Sequence, residues 1–448
     1  MLVRTLASGV LVAGFAVALA ASGCANESGP KTAASKAPPA ENKSSQAEKA
    51  DETSPATSKE KAQDEPAAAK KPSAERNSLL TRDQIDAGWI ALFDGHSLFG
   101  WKPNSDANWS VKDGAITADS GMPGLLCTPV RFANFELKCD YRLAAGGNSG
   151  IFLRTAFQPK NPAVDCYELN MCDTHKEFRT ASLVGRTKPT ETFTGEDGEW
   201  HSFHVTCDGA RTTVTFDGKP ALEFDDAGEK PLHAGHIGLQ MNGGKVEFRN
   251  VFLKPLGVKP LFDGKSLDGW RKVDGSKSTF EVKDGAIHVE NGAGFLETET
   301  TFGDFVLQGS ARTNGDRLNS GVFFRTMPGT EKAPSNGYEF QIQNGYKDNN
   351  RTKPADFGTG AIFRRAPART VVSNDREWFA FTLVADGPTF ATWVDGYPVC
   401  VWTDDREANE NPRQGKRLEA GHFSLQGHDP TTNLDFRAFG AAELPKGD

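Results

Sequence analysis

The sequence predicts an all-β protein in which two antiparallel β-sandwich domains follow one another. The 448 residues include 46 glycines and 30 phenylalanines, as expected of many turns between apolar strands. Apolar and polar residues also alternate in short runs bounded by Asp-Gly pairs, and the whole pattern occurs twice. Such runs fit sandwiches in which each sheet buries one face, and we expect a jelly-roll topology.

The overall charge limits the classes of partner. The chain has 51 Lys and Arg residues against 59 Asp and Glu residues, which gives a formal net charge of -8. A nucleic-acid-binding surface requires a basic excess, so this composition argues against a DNA- or RNA-binding protein. The length corresponds to two to four domains at roughly 100–200 residues each.

Residues 1–23 have the features of a secretory signal peptide. Arg4 precedes an apolar run over residues 6–21, too short for a comfortable membrane span, and small residues lead up to Cys24. The spacing resembles a bacterial lipobox, with Ala21 where that motif usually has Leu, which implies cleavage before Cys24 and lipidation of its thiol. An ordinary signal peptide with an incidental cysteine is the alternative. The lipobox interpretation predicts an exported protein, anchored by lipid alone to the bacterial cell envelope, in the periplasm or at the cell surface.

Residues 24–77 are predicted to form a disordered tether. From residue 25 onwards the segment contains no Val, Ile, Leu, Met, Phe, Trp, Tyr or Cys, and it carries nine acidic and nine basic residues. Nothing apolar offsets the entropy cost of ordering such a chain. As a flexible coil it would span about 40 Å, which suits a pair of domains held away from a membrane surface.

The remainder of the chain is an internal duplication. The matching segments, first copy then second, are LFDGHSLFGW (92–101) and LFDGKSLDGW (261–270), NSGIFLR (148–154) and NSGVFFR (319–325), and YE (167–168) and YE (338–339). The second copy is longer, and its extra residues fall between Glu339 and Glu377 and within the polar segment 403–415. We therefore expect two homologous domains, 78–256 and 257–448, joined without a long linker.

Each copy contains a predicted β-hairpin. Apolar residues alternate with polar ones over residues 203–216 in the first copy and over 379–394 in the second. Asp-Gly pairs interrupt the two runs at 208–209 and 386–387. Because an Asp-Gly pair between alternating segments favours a tight turn, these runs predict antiparallel strand pairs.

Alternation in three strands of the second copy predicts a polar sheet face. Successive side chains of a strand point to opposite faces. The core side is assigned to Val322, Phe324, Tyr338, Phe340, Ile342, Phe423 and Leu425, and the opposite side to Asn319, Phe323, Arg325, Glu339, Gln341, Gln343, Ser424, Gln426 and His428. If the strands share a sheet, Arg325, Glu339, Gln341, Gln426 and His428 converge on a concave polar surface.

The ordered set of motifs resembles a known family. LFDGxSLxGW, NSGxxxR, the YE strand, an EW pair, the Asp-Gly hairpin and GxxxLQ followed by an F-R strand occur in the same order in both copies. They cover nearly all of residues 90–256 and 260–440. Both copies are similar to the 3-keto-disaccharide hydrolase domain, a concanavalin- and laminin-G-like jelly roll common in secreted bacterial proteins. The resemblance implies action on sugars whose C3 hydroxyl has been oxidised to a ketone.

A 3-keto sugar permits a particular route of cleavage. The ketone acidifies the C2 hydrogen, a base removes it to give an enolate, the bond from C1 to the leaving oxygen breaks, and water adds afterwards. This route needs a base, an electrophile near the carbonyl oxygen and a proton donor. We assign Glu339 and His428 as base and acid, in either order, and Arg325 as the stabiliser of the enolate oxygen. A structural ion pair between Arg325 and Glu339 is the alternative.

No cofactor is evident from the sequence. A divalent cation, for example calcium, could replace or assist Arg325, but no metal-binding motif points to one. The expected ligand is a 3-keto-glycoside or another oligosaccharide. A separate nicotinamide-dependent sugar 3-dehydrogenase is expected upstream, because no dinucleotide-binding motif occurs in the chain.

The two copies differ at two of the candidate site positions. The first has Asn170 where the second has Gln341, and Asn242 where the second has His428. Because Asn does not exchange a proton near neutral pH, we expect the second domain to be active and the first to be degenerate or specialised for binding. The predicted substrate-binding residues are Asn319, Gln341 and Gln426 in the second domain, and Arg154, Glu168 and Gln240 in the first.

A different class of function competes with the enzyme. The same sandwich fold serves as a non-catalytic glycan-binding module, and two copies on a tether would provide multivalent capture at the cell envelope. A structural envelope protein is a third interpretation.

The first domain is rich in cysteine. Its five cysteines are Cys127, Cys139, Cys166, Cys172 and Cys207. Export favours disulfides, and two bridges with one thiol left over would account for all five. Buried free thiols within apolar strands are the alternative.

Overall fold

The computed structural model of the protein describes residues 79–195, 198–228, 230–334 and 336–446. The predicted signal peptide, Cys24 and the predicted tether lie outside these residues. The elements of the first copy are α1 (Arg82–Asp86), β1 (Ile90–Ala91), β2 (Lys102–Pro103), β3 (Ser110–Lys112), β4 (Ala115–Ala118), β5 (Gly124–Cys127), β6 (Phe135–Leu143), β7 (Ser149–Thr155), α2 (Pro162–Asp165), β8 (Tyr167–Met171), β9 (His201–Asp208), β10 (Arg211–Phe216), β11 (Lys219–Asp225), β12 (His236–Met241) and β13 (Val246–Pro255).

The second copy is built from strands. They are β14 (Lys259–Pro260), β15 (Trp270–Lys272), β16 (Thr279–Lys283), β17 (Ala286–Glu290), β18 (Gly294–Phe302), β19 (Phe305–Thr313), β20 (Ser320–Thr326), β21 (Tyr338–Ile342), β22 (Phe379–Asp386), β23 (Thr389–Val394), β24 (Tyr397–Thr403), β25 (Gly421–Gly427) and β26 (Asn433–Glu443). Three residues separate β13 from β14, so the two copies are directly joined.

Each copy folds into two antiparallel sheets. In the first copy, the larger sheet has the order β11-β10-β9-β6-β13-β4-β3, with β1 paired to β13, and the smaller has the order β2-β5-β12-β7-β8. The second copy repeats both orders as β24-β23-β22-β19-β26-β17-β16, with β14 paired to β26, and β15-β18-β25-β20-β21. The predicted all-β fold of two tandem antiparallel sandwiches is confirmed.

Both predicted hairpins are present. In the first, Asp208 of β9 lies opposite Arg211 of β10, and in the second, Asp386 of β22 lies opposite Thr389 of β23. Two-residue turns join the strands, and their glycines, Gly209 and Gly387, have φ angles of 55° and 52°. This left-handed conformation favours glycine.

One apolar core continues from the first sandwich into the second. Val384, Ala391 and Trp393 of the β22–β23 hairpin belong to the buried cluster that fills the first sandwich. One face of this hairpin packs on the core of the first sandwich and the other on the core of the second. Alternation of apolar and polar residues predicts only one buried face for a strand. The indole Nε1 of Trp393 also donates a hydrogen bond to the carbonyl oxygen of Ala91 at 2.8 Å.

Two shielded ion pairs link the sandwiches. Arg131 donates through its backbone N–H and its Nε to the two carboxylate oxygens of Asp386, at 2.8 and 2.9 Å. Arg369 donates to the fully buried carboxylate of Asp94 at 2.7 Å. Because breaking a shielded pair leaves an uncompensated charge, these contacts favour one relative orientation of the two sandwiches.

The described cysteines correct one expectation. Cys127, Cys139, Cys172 and Cys207 are buried free thiols, so the two bridges expected in the first domain do not form. Burial raises the pKa of the Cys127 thiol to about 12, which keeps that thiol protonated and unreactive. Within the described ranges, no helix is long and apolar enough to cross a membrane.

Candidate functional site

The smaller sheet of the second sandwich carries the candidate site on the side opposite its apolar core. Phe323 of β20 lies opposite Glu339 of β21 and opposite Ser424 of β25, and residues in direct register share a face. The other side of the same strands supplies the core residues Leu296, Val322, Phe340 and Leu425. We call the first side the polar face, and it comprises Phe295, Glu297, Phe323, Glu339, Gln341, Ser424 and Gln426.

Glu339 is a buried carboxyl group on the polar face. Its residue is 4% exposed, and its Oε2 accepts a hydrogen bond from a terminal nitrogen of Arg413 at 3.1 Å. Burial raises the pKa of Glu339 to about 7, although the charges of Arg413 and His428 act in the opposite direction. A carboxyl group with that pKa exchanges its proton near neutral pH, as a general acid or base must.

Arg413 closes over the polar face from a loop. Its guanidinium lies 4.9 Å from the centre of the Phe323 ring, so it contacts both the aromatic and the acidic side chain of this face. The loop from β24 to β25 has 17 residues, 404–420, where the equivalent loop of the first copy has 10, 226–235. The additional length allows a loop residue to reach the sheet.

Three polar atoms on the polar face are buried without a hydrogen-bond partner among the described residues. They are the side-chain oxygens Oε1 of Gln341, Oε1 of Gln426 and Oγ of Ser424. An unpaired buried polar atom costs roughly 1–3 kcal/mol, and such atoms usually have a partner in the working state of a protein. All three atoms therefore have unused capacity for a hydrogen bond.

A second network holds Gln341 in place. Asp356 Oδ2 accepts hydrogen bonds from Asn319 Nδ2 at 2.8 Å and from Gln341 Nε2 at 3.1 Å. Gln341 Nε2 also lies 3.3 Å from Asn319 Oδ1. Because its amide nitrogen is held in this way, Gln341 directs its carbonyl oxygen to the polar face.

His428 lies at the rim of the site. It follows the last residue of β25, and its side chain is 40% exposed. Its Nδ1 lies 2.9 Å from Asp429 Oδ2, and its backbone N–H donates to Thr432 Oγ1 at 2.8 Å. Its charge lowers the pKa of Glu339, so the two side chains interact electrostatically across the site.

Arg325 is not on the polar face, which corrects the sequence-based assignment. Its residue is 0% exposed, and its guanidinium donates to the carbonyl oxygens of Gly303, Gly387 and Arg417 and to Asp304 Oδ1, at 2.7–3.1 Å. The ion pair of Glu339 is with Arg413 instead. Arg325 therefore ties loops together and is not the group beside the candidate base.

A β-bulge explains why alternation fails at Arg325. The register between β20 and β25 shifts between Phe323 and Thr326, and Arg325 has a φ angle of 48°. An extra residue in one strand reverses which face the next side chains occupy.

Arg154 is buried in the equivalent position of the first sandwich, and it is not on a ligand-accessible face either. It has a φ angle of 48° and donates to the carbonyl oxygens of Ala133, Gly209 and Leu232 and to Asn134 Oδ1. Both arginines thus have the same structural role.

The first sandwich keeps the carboxyl group but in a different setting. Glu168 accepts a hydrogen bond from Gln240 Nε2 at 3.3 Å, and Gln240 Oε1 is buried without a partner among the described residues. Burial raises the pKa of Glu168 to about 7. The amide of Asn170 donates to Phe178 O, and the neighbouring side chains form an apolar cluster of Leu125, Cys127, Phe152 and Cys166.

Replacing Glu168 by Gln is expected to stabilise the protein above neutral pH. Because the folded-state pKa is raised from 4.5 to about 7, the folded chain holds a proton that the unfolded chain releases, and stability falls as pH rises through this window. Gln removes that cost, so the variant should gain as much as about 3 kcal/mol at pH 8 and little at pH 4. Urea unfolding at both pH values checks this, and an equal effect at the two pH values would contradict it.

Sequence reasoning located some members of the site and missed others. Glu339, Gln341 and Gln426 lie together on the polar face, and Asn319 supports Gln341. Arg413 and Asp356 were missed because they lie in loops, where no periodicity assigns a direction. The one available signal was the greater length of the second copy in the segments that contain them.

The expected divalent cation has no evident ligand cluster. Within the described ranges, no group of three or more His, Cys, Asp and Glu side chains is arranged to hold a metal ion. Calcium prefers several oxygen ligands at once. The cation therefore stays a prediction from the sequence.

A family model matches both copies. The model is described as the 3-keto-alpha-glucoside-1,2-lyase-like domain, and it matches residues 88–254 and 257–439. These two ranges together cover more than half of the chain. They correspond to the two copies, whose sheets have the same strand order.

Individual relatives match shorter stretches. A 3-keto-disaccharide hydrolase from Bacteroides thetaiotaomicron is 36% identical over 91 residues, 18% of this chain, and the match spans about a third (31%) of that protein. The solved structure of a candidate glycosyl hydrolase from Parabacteroides distasonis is 23% identical with a TM-score of 0.36, covering 40% of this chain and 99% of that one. The carbohydrate-binding module CBM66 from Bacillus subtilis is 15% identical with a TM-score of 0.29, covering 35% and 95%. On the strength of the two family-model matches, the chain belongs to the 3-keto-alpha-glucoside-1,2-lyase-like family and carries two tandem copies of its domain.

Proposed function

We propose that the second sandwich cleaves 3-keto-glycosides by abstraction of the C2 proton, elimination of the C1 substituent and addition of water. The observation that carries this proposal is Glu339, a buried carboxyl group with a pKa of about 7 on a face with unpartnered polar atoms. Family membership supports the substrate class, since the family is described by a 1,2-lyase activity on a 3-keto-glucoside.

Each step has a candidate residue in the second sandwich. Ionised Glu339 takes the C2 proton, and the electron pair passes to the C3 carbonyl oxygen as an enolate. Arg413 adjoins Glu339 and has further N–H groups that can stabilise the enolate oxygen, the role that the sequence assigned to Arg325. As the enolate collapses, the C1–oxygen bond breaks, and His428 at the rim donates a proton to the leaving oxygen. Water then adds to the resulting double bond.

Gln341 and Gln426 orient the sugar ring. Their buried carbonyl oxygens accept hydrogen bonds from sugar hydroxyls, and a site that pairs specific hydroxyls holds the reacting carbon near the base. This role requires no titration, which is consistent with amide side chains.

The first sandwich is proposed to bind sugar without cleaving it. It retains Glu168 and Gln240, but the equivalent of His428 is Asn242, and the shorter β11–β12 loop brings no arginine to Glu168 in the way that Arg413 reaches Glu339. A competing function for the whole chain is tandem carbohydrate binding without turnover, which the unpartnered amide oxygens in both sandwiches would also serve.

The deciding experiment is turnover of 3-keto-glucosides by the full chain. A panel of α- and β-linked 3-keto-glucosides is incubated with the protein from pH 5 to 9, with and without chelator, and release of the leaving group is followed. We expect the rate of release to rise as the pH increases through about 7, because Glu339 must be ionised to act as the base. Loss of activity with chelator would add a metal to the mechanism. Absence of release from every substrate, with measurable glycan binding, would support the binding function instead.

We also propose that the protein is exported and anchored to the cell envelope through lipidated Cys24, where it receives substrate from a sugar 3-dehydrogenase. The leader and tether patterns of residues 1–77 support this. Lipidation is tested by incorporation of labelled palmitate into the full chain. The label should be lost in Cys24→Ser.

A further inference from the structure

A cavity rich in arginine adjoins Glu339. It has a volume of about 260 Å³ and is lined by Gly337, Tyr338, Glu339, Phe363, Arg364, Arg365, Pro412 and Arg413. Three of these side chains are cationic, and Glu339 is the one carboxyl group among them. The cavity therefore carries a surplus of positive charge at the edge of the proposed reaction site.

Arg364 occupies a backbone position that favours glycine. Its φ angle is 59°, and the equivalent residue of the first sandwich, Gly185, has a φ angle of 72°. The equivalence follows from the bridges, because Gly185 and Arg364 each come two residues after the bridging residues Leu183 and Ile362. A side chain in the left-handed region is strained, so the backbone does not explain an arginine here.

Arg364 is also unpaired. Its side chain is exposed, it lies 5.3 Å from the centre of the Phe363 ring, and no carboxylate within the described residues forms an ion pair with it. A strained, exposed arginine without an acidic partner at the wall of a cavity has a guanidinium available to a ligand.

The neighbouring Arg365 has lost the partner that its counterpart keeps. In the first sandwich, Arg186 forms an ion pair with Asp226 at 3.0 Å. In the second, the equivalent carboxylate, Asp404, is occupied by Arg406 through two hydrogen bonds of 2.8 Å. Arg365 instead donates to the carbonyl oxygen of Arg413 at 2.7 Å.

The longer β24–β25 loop causes this exchange. It supplies Arg406, which pairs with Asp404 in the way that Arg186 pairs with Asp226 in the first sandwich. It also supplies Arg413, which pairs with Glu339. Burial, together with the charge of Arg406, lowers the pKa of Arg365. An anion in the cavity would relieve the repulsion among these guanidinium groups.

We propose that this cavity binds an oxyanion substituent, a carboxylate or a sulfate, carried by the glycoside that the second sandwich cleaves. This inference rests on the proposed function, since it places the substituent beside the sugar that Glu339 attacks. Planar guanidinium groups bind carboxylate and sulfate oxygens through paired N–H donors. The first sandwich, with Gly185 in the place of Arg364 and with Arg186 paired to Asp226, would accept only neutral sugars.

Calorimetric binding of sugars to the full chain tests the proposal independently of catalysis. The probes are glucuronate, glucose 6-sulfate and glucose. We expect one or both anionic sugars to bind more tightly than glucose. The anionic sugar that binds more tightly identifies the oxyanion as a carboxylate or a sulfate. Arg364→Gly should weaken that binding about tenfold or more, and it should fold normally because Gly suits the left-handed backbone.

Arg376→Gly is the matched control. Arg376 also has a positive φ angle, 63°, and it forms an exposed ion pair with Asp316 outside the cavity. This variant should bind the anionic sugars as the wild type does. Equal binding of glucose and both anionic sugars, or an Arg364→Gly variant that binds as tightly as Arg376→Gly, would overturn the proposal.

Turnover separates the inference from the function on which it rests. If neutral 3-keto-glucosides are cleaved but anionic sugars show no binding that depends on Arg364, the oxyanion proposal fails and the proposed catalytic function is retained. If anionic sugars bind through Arg364 but no 3-keto-glycoside, neutral or anionic, is cleaved, the cavity is an anion site and the catalytic function fails.

Discussion

Glu339→Gln will lower the turnover of 3-keto-glycosides by about 10²–10⁴-fold, the usual contribution of a general acid or base. Gln keeps the shape of the side chain and an oxygen that accepts from Arg413, so the polar face should retain its geometry. Ligand affinity should therefore change little, while kcat falls. Steady-state kinetics on the best substrate of the panel, combined with calorimetric binding, measure both quantities.

Glu168→Gln is the control for this substitution. The two glutamates occupy equivalent strands, both are buried, and burial raises the pKa of each to about 7. If the second sandwich is the catalytic one, Glu168→Gln keeps wild-type turnover. Equal loss in both variants would instead show that both sandwiches react, and unchanged turnover in Glu339→Gln would remove Glu339 as the base.

Arg325→Met will destabilise the protein by about 3–5 kcal/mol, the range observed when one partner of a buried ion pair is removed. Met fills much of the same volume but leaves Asp304 without its nearest cation and three backbone carbonyls without their donor. Urea unfolding of the full chain measures the loss. Arg211→Met, which removes an arginine side chain that is 53% exposed, should change stability by less than about 1 kcal/mol.

This prediction also separates a structural arginine from a catalytic one. Under conditions in which Arg325→Met is folded, its kcat per folded molecule should be close to that of the wild type, because the Arg325 guanidinium does not contact the polar face. A stable variant with strongly reduced kcat would return Arg325 to the reaction and contradict the structural assignment.

The sequence-based predictions that the structure confirms rest on the alternation of apolar and polar residues along strands. The two hairpins, the tandem sandwiches and the shared face of Glu339, Gln341 and Gln426 all follow from alternation between neighbouring residues, which a pleated strand imposes. The internal duplication strengthened each prediction, because the same pattern had to fit twice. The disulfides were predicted from the expected cell compartment and the number of cysteines. Buried free thiols, the stated alternative, are what the described residues show.

The all-β class, the duplication and the common side of Glu339, Gln341 and Gln426 were predictable without a structure, since alternation along a strand and repeated motifs can be read directly from the residues. The other features of the site depend on the folded chain. A bulge turned Arg325 away from the face, a loop of 17 residues brought Arg413 to Glu339, and burial set the pKa of Glu339 near neutrality. Each of these results depends on contacts between segments far apart in the sequence or on the exclusion of water, and no local pattern of residues encodes either.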